Sequence, residues 1–340
     1  MQDNKISTLL AFSLLSAPLA STPPTPSNQQ ARLASLPVSQ RAALRKMQYR
    51  LAPAPVLEPM GTYVGELQEK WQFPSDHLPI GMTFEDLHMM SWNVLDNAYI
   101  SWVLQKNSQG LSRSMIADEH VYIPGSQITL RDRHVIDLIL QTLSHPLYPR
   151  SLLALQECGE PFLAALRQAL PAHFEVVSCH GEAIILDRRR FDILSMKEIK
   201  GIFSDEPHRT IQDLHLRRLD NGQEMRLVNG HLPGDPTKPG RLEFAQYLQR
   251  TFDPQITTLA MGDMNFNELE MAEAMNQAFQ GRSPFSMHSP YPTNISPFEF
   301  RSKAIDHFFV YSPNGSSATL HEPNQLMDGL DATLHLLTQS

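Results

Sequence analysis

Polar side chains stand at the tips of otherwise apolar runs in five places along this chain. MSWNVLD carries Asn93, LLALQEC carries Glu157, RLVNGHL carries Asn229 and His231, LAMGDMN carries Asp263 and Asn265, and KAIDHFF carries Asp306. A carboxylate or amide at the end of a core strand is costly unless it is paired or bound to a metal. Each alone has an ordinary reading: Glu157 as a charge in solvent, Asn93 as a turn residue, His231 as a satisfied core histidine, Asp306 as half of an ion pair. Together, in strands that can converge, they imply one shared site.

The residue types fix the chemistry. Glu157 with Asn93 offers hard oxygen ligands, which suit Mg2+ or Mn2+ held beside several waters with room for a phosphate oxygen. No Cys or His spacing for zinc is present. Asp263 can orient or deprotonate a water, Asn265 can hold a non-bridging oxygen, and His231 can donate to charge developing on phosphorus. That is metal-assisted phosphoester hydrolysis, and no serine or cysteine nucleophile motif competes with it. Arg209, in PHRTIQDL, is a candidate phosphate clamp.

These side chains need strands to carry them. In ITTLAMGDMNFNELE a buried strand runs into Gly-Asp-Met-Asn, and strand alternation predicts Asp263 and Asn265 on one face. The same residues suit an Asx-turn, and NELEMAEAM behind them reads as a helix start. LHMMSWNVL, SLLALQE, FEVVSCH, EAIILD, IQDLHLRRL, EMRLVNGHL, ITTLAMGDMN and AIDHFFVYS all read as strands. RDRHVIDLILQTL, PFLAALRQAL, RLEFAQYLQRTF and EMAEAMNQAF carry helical periodicity, and DNGQ is a hairpin turn. This mixture predicts an α/β fold of two mostly antiparallel sheets packed face to face with helices outside. A doubly wound nucleotide fold would need a Gly-rich strand-to-helix turn, which is absent.

The remaining composition sets limits. The chain has 340 residues, 41% of them hydrophobic, and a net charge of -8, which argues against non-specific duplex binding through phosphate neutralisation. Cys158 and Cys179 lack metal-ligand spacing and read as buried free thiols. Residues 1–20 form a signal-like segment, but MQDNK is barely positive and Pro18 is badly placed for cleavage, so a cytoplasmic location is favoured over export. The segment is too short to span a membrane. Residues 21–75 read as a Pro/Ser/Gln-rich linker, leaving 76–340 as the functional domain.

The ordered set Asn, Gln-Glu, Asn-x-His, Gly-Asp-x-Asn, Ile-Asp resembles the endonuclease/exonuclease/phosphatase superfamily over roughly residues 85 to 340. The resemblance implies a four-layer, DNase-I-like α/β sandwich and magnesium-dependent hydrolysis of phosphodiesters or phosphomonoesters. Within it, WNVLDNAY, LQEC, VNGHLPGDP with RLEFAQYL, and TNISPFEFRSKAIDHFFVYS are most similar to poly(A) deadenylases of the carbon-catabolite-repressor type. That likeness makes Glu157 the principal metal ligand and Asn93 the metal-side amide, places Asn229 at the substrate, and makes Pro236 and Phe300 a sandwich for a terminal base. Stacking of that kind suits single-stranded nucleic acid. The Trp-Cys-Asp-Arg run of inositol-polyphosphate 5-phosphatases is missing.

One departure stands out. The superfamily usually closes with Ser-Asp-His, its histidine oriented by the Asp of the Ile-Asp strand, whereas this tail reads LMDGLDATLHLLTQS, with Ala332 after Asp331. His335 is the expected substitute, because His307 adjoins Asp306 in a strand and must face the other way. Three functions follow: a magnesium-dependent 3′ exonuclease on single strands, a phosphatase or phosphodiesterase on phosphoinositide or phospholipid head groups, and a binding protein without turnover.

Overall fold

Short apolar runs in this sequence are bounded by Gly, Asp and Asn, and they become two six-stranded sheets. The computed structural model describes residues 75–99, 123, 125–145, 149–288, 294–296 and 301–321. All of them fall within one compact unit, Pro59–Ser340.

The first sheet runs β14 (Ala318–Leu320), β1 (Ile80–Phe84), β2 (Leu87–Asn93), β3 (Leu152–Gln156), β5 (Glu182–Asp187), β4 (Phe174–Cys179). The second runs β10 (Ser286–His288), β13 (Asp306–Tyr311), β9 (Thr257–Asp263), β8 (Glu224–His231), β7 (Thr210–Arg218), β6 (Phe191–Lys200). A separate hairpin joins β11 (Asn294–Ser296) to β12 (Arg301–Lys303). Every pairing is antiparallel except the central one of each sheet, β2 with β3 and β8 with β9.

Among the described residues, helices that cover the sheets are α1 (Leu130–Leu143), α2 (Glu160–Ala169), α3 (Gly240–Arg250) and α4 (Glu268–Ala278). Two begin with a reciprocal capping box, Thr129 with Asp132 on α1 and Asn267 with Glu270 on α4, which satisfies backbone donors that a helix start leaves open. Alternation along the strands sorts the core. Leu259 and Met261 of β9 and Phe308 and Val310 of β13 join the cluster shared with the first sheet, α1 and α2. Ala260 and Phe309, one residue out of phase, pack instead with Phe244 and Leu248 of α3 and Met271 and Met275 of α4. The result is a four-layer α/β sandwich, helices outside and sheets face to face, as expected.

Six strands escaped the sequence: β1, β6 and the three-residue β10, β11, β12 and β14. FDILSMKEIK is β6, an edge strand whose Leu194 and Met196 are exposed, so its pattern lacks a buried stripe. β1 lies ahead of the first run recognised as a strand, and it turns into β2 through Glu85 and Asp86. Arg218, nearly buried at the end of β7, clamps that turn: Nη1 donates to Glu85 Oε2 at 2.7 Å and Nη2 to Asp86 Oδ1 at 2.6 Å, while Nε reaches Asp220 Oδ1 at 3.1 Å. Arg218→Ala would strand these acids and open a gap between the sheets. It is expected to cost about 1–3 kcal/mol, read as a lower urea midpoint at unchanged slope. Cys158 and Cys179 are buried free thiols. Among the described residues no helix is long and apolar enough to cross a membrane.

Candidate active site

The two parallel pairs end at the same place. Asn93 is level with Gln156 at the end of β2 and β3, and His231 is level with Asp263 at the end of β8 and β9. Asp306, the first residue of β13, lies opposite Asp263. Glu157, one residue past β3, has φ 56°, in the left-handed region that non-glycine residues avoid. That turn breaks the strand and keeps the carboxylate at the tip.

Asn93 is the hub. Its Nδ2 donates to Glu157 Oε1 at 2.9 Å and to Asp263 Oδ2 at 3.0 Å, while its Oδ1 accepts from Leu95 N at 3.0 Å. The amide therefore presents its NH2 to the carboxylates and holds them. Glu157 Oε2 is shielded from solvent and makes no hydrogen bond to a described residue. His231 Nε2 lies 3.6 Å from both Glu157 Oε1 and Asp263 Oδ2. Asp263 Oδ1 accepts from Asn265 N at 2.9 Å.

Burial and neighbouring charge divide these groups. Burial, reinforced by the Asp76 carboxylate, pushes Glu157 up to about 7. Burial likewise raises Asp263 to about 6. His231 is held well below the usual imidazole value by burial, with the Arg209 and His77 charges adding to it. A cluster of carboxyls that resists ionising without a cation is what a hard-metal site looks like when its charges are unbalanced.

His77 is the residue that sequence reasoning missed. Its Nδ1 donates to Asp306 Oδ2 at 3.0 Å, and its Nε2 lies 3.5 Å from Asp263 Oδ2. Burial alone would depress this imidazolium, but the Asp306, Asp263 and Asp76 carboxylates outweigh it and raise it well above the usual value. Ligand atoms of Glu157, His231 and Asp263 lie within 4.8 Å of one another, and so do those of His77, Asp263 and Asp306. The signal was present in the sequence: residues 75 to 77 read Ser-Asp-His, the tripeptide sought at the other end of the chain.

No protein-family model matches the sequence, and no curated protein matches it. Similar solved structures include a mannosyl-6-phosphatase of Bacteroides thetaiotaomicron, 20% identical over 53% of this chain and 77% of that one, with a TM-score of 0.44. Humanized D. rerio TDP2 is 15% identical over 72% of this chain and 86% of that one, with a TM-score of 0.46. An endonuclease/exonuclease/phosphatase family protein from Bacteroides thetaiotaomicron is 18% identical over 56% and 86%, with a TM-score of 0.43. What this chain does is carried by its own cleft.

The other expected residues scatter. Asn265 lies beyond the end of β9 at φ 57°, so a left-handed turn brings it to the site and strand alternation does not. One N–H of its amide goes to Leu232 O at 2.8 Å. Asn229 was expected at the substrate; instead it cross-links the sheets, accepting from Gln156 Nε2 at 2.8 Å and donating to Leu155 O at 3.0 Å, fully buried. Arg209 lies beside His231, with Nη1 3.5 Å from the His231 carbonyl and Nε bonded to Glu206. Pro236 is exposed on the loop after β8, its carbonyl held by Arg241. His307 faces away from Asp306 and bonds to Phe266 O at 2.7 Å. Phe300 and His335 lie outside the described residues.

Proposed function

We propose that this cleft hydrolyses phosphoesters with the help of a divalent cation, and that its substrate is single-stranded nucleic acid shortened from the 3′ end in the manner of a deadenylase. The observation that carries the first part is the buried, unshared Oε2 of Glu157, beside an Asp263 carboxylate whose two oxygens are fixed by Asn93 and Asn265. The donor set is hard, as Mg2+ or Mn2+ requires, and Glu157 would hold the ion. When bound, the ion supplies positive charge against the transferring phosphoryl group.

The chain's own groups divide the remaining work. Asp263, fixed at both oxygens, is placed to orient water for attack on phosphorus. His231, kept neutral, and the second N–H of Asn265 offer donors to non-bridging oxygens. The loop that carries Pro236 leans on this chemistry, since a Cβ at Gly234 would lie 3.0 Å from Asn265 Oδ1. Pro236, exposed two residues further along that loop, would offer its ring for base stacking, which favours a single strand over a head group.

The test is hydrolysis of a 5′-labelled oligoadenylate beside a 5′-labelled oligodeoxyadenylate, a phosphoinositide and p-nitrophenyl phosphate, each with Mg2+, Mn2+ or EDTA. Stepwise 3′ shortening that EDTA abolishes is the expected result. Phosphate release from the phosphoinositide with both oligonucleotides intact would transfer the function to head groups. No metal-dependent turnover of any substrate would overturn the phosphoesterase reading itself.

A further inference from the structure

We infer that this domain is circularly permuted: the segment Ser75–Phe84 acts as a closing element moved to the front of the chain, and through it His77 completes the site. The inference rests on the phosphoesterase reading only for the role of His77. The strand order carries the rest.

β1 lies between β14 and β2 and is antiparallel to both, with Met82 level with Leu320 on one side and Met89 on the other. β14 runs toward the start of β1, and His321 N donates to Gly81 O at 2.9 Å. A short return from His321 would therefore lead straight into Ser75. The connection actually used, Glu85 and Asp86, is an exposed tight turn with Glu85 at φ 53°, on the edge away from the chemistry.

The lead-in to β1 is tied to the site: besides the local bond from His77 N to Ser75 Oγ at 3.1 Å, it is held by residues far away in sequence. Ser75 Oγ donates to Asn93 O at 2.7 Å, Trp92 Nε1 donates to His77 O at 3.0 Å, and His77 Nδ1 donates to Asp306 Oδ2 at 3.0 Å. Those partners come from β2 and β13, strands from opposite ends of the chain and from different sheets. With Nδ1 fixed on Asp306, the ring keeps one orientation and turns Nε2 to the edge of Asp263. From there it can donate to a phosphoryl oxygen while Asp263 holds the water. The sequence order Ser-Asp-His, β1, β2 delivers a histidine to this position as well as any order that puts β1 last.

Two experiments test this. The first reorders the whole chain so that it begins at Leu87 behind an initiating Met, runs to Ser340, continues into Met1 and ends at Asp86. Residues 322–340 and 1–74 then supply the connection, and loop closure changes stability only slowly with length. Cooperative unfolding at a midpoint close to that of the parent chain is expected, and a reordered chain that does not fold overturns the permutation. This readout stands even if no substrate is ever hydrolysed.

The second compares His77→Ala, His77→Gln and His335→Ala in both chain orders. The His77 variants should lose about 10²–10⁴-fold in kcat with little change in KM, and added imidazole should restore part of the loss in His77→Ala. Unfolding midpoints check that these variants remain folded, the glutamine variant keeping a donor for Asp306. A fall at His77 at least tenfold larger than at His335 supports the assignment. An equal or larger fall at His335, or loss without imidazole rescue in a folded His77→Ala, overturns it.

Discussion

Gly262→Ala is expected to lose most of the protein's cooperative stability and all of its metal-dependent hydrolysis, although the change adds one methyl group. Gly262 has φ 144°, and a Cβ there would sit 1.9 Å from the Gly230 carbonyl oxygen and 2.9 Å from its carbon. These atoms are backbone and cannot swing aside. Gly230 and Gly262 are level across the parallel pair, one residue before His231 and Asp263, so the strands must part just where the site is built. Moving the contact out to an ordinary 3.4 Å would also pull on the Leu232 N to Asp263 O bond at 3.0 Å and the Met264 N to Ile305 O bond at 2.8 Å.

Overpacking a rigid contact typically costs about 1–3 kcal/mol, and a strained backbone adds about 1–3 kcal/mol more. Gly230→Ala is the matched control. Its Cβ would meet Phe244 Cε2 at 3.3 Å and Leu232 Cδ1 at 3.5 Å, side-chain ends that can yield. Urea unfolding of the two variants should place Gly262→Ala several-fold lower in stability. Equal losses would show that the close approach of the strands is not what Gly262 is for.

The core of this fold could be read from the sequence because its central strands are buried on both faces. LLALQ and EAIILD are continuous apolar runs with no other plausible use, and burial selects them as β3 and β5. Where burial does not select, the reading failed. β6 alternates around charges at an open edge, and the Arg218 clamp joins residues 132 and 133 positions apart, which no local pattern announces. At the site, residue type was informative and geometry was not. Asn229 has the composition of a ligand, yet its amide is used between the sheets, a choice set by register alone. Asn265 was placed by strand alternation, but the chain had already left the strand. His77 was missed for a different reason: motif order was assumed to follow chain order, whereas packing requires only that β1 lie between β14 and β2.

Without a cation, the protein is expected to become less stable as the pH rises, because burial holds up the carboxyls of Glu182, to about 8, and of Glu157 and Asp263. The folded value of Glu157 is about 7 and that of Asp263 about 6, against 4.5 and 3.8 for the unperturbed groups. Between those limits the folded protein keeps protons that the unfolded chain gives up, so stability falls as pH rises from about 4 to 7, and the raised Glu182 and His77 continue the fall above that. Each unit of difference corresponds to about 1.4 kcal/mol, which makes the share of Glu157 a few kcal/mol. A divalent cation binds the ionised form and reverses the trend, adding about 2.7 kcal/mol when present at a hundred times its dissociation constant. Thermal unfolding with Mn2+ or EDTA should therefore show a large metal shift at pH 8 and almost none at pH 5. Glu157→Gln should make the pH slope shallower, raise the metal-free midpoint at pH 8 above that of the wild type, abolish the metal shift and lower hydrolysis by about 10³-fold. Stability gained and activity lost at one position would mark Glu157 as a charge the fold tolerates for the sake of the ion. A Glu157→Gln protein that still gained the full metal shift would move the ion to the His77, Asp263 and Asp306 group, which offers the other buried set of ligand atoms among the described residues.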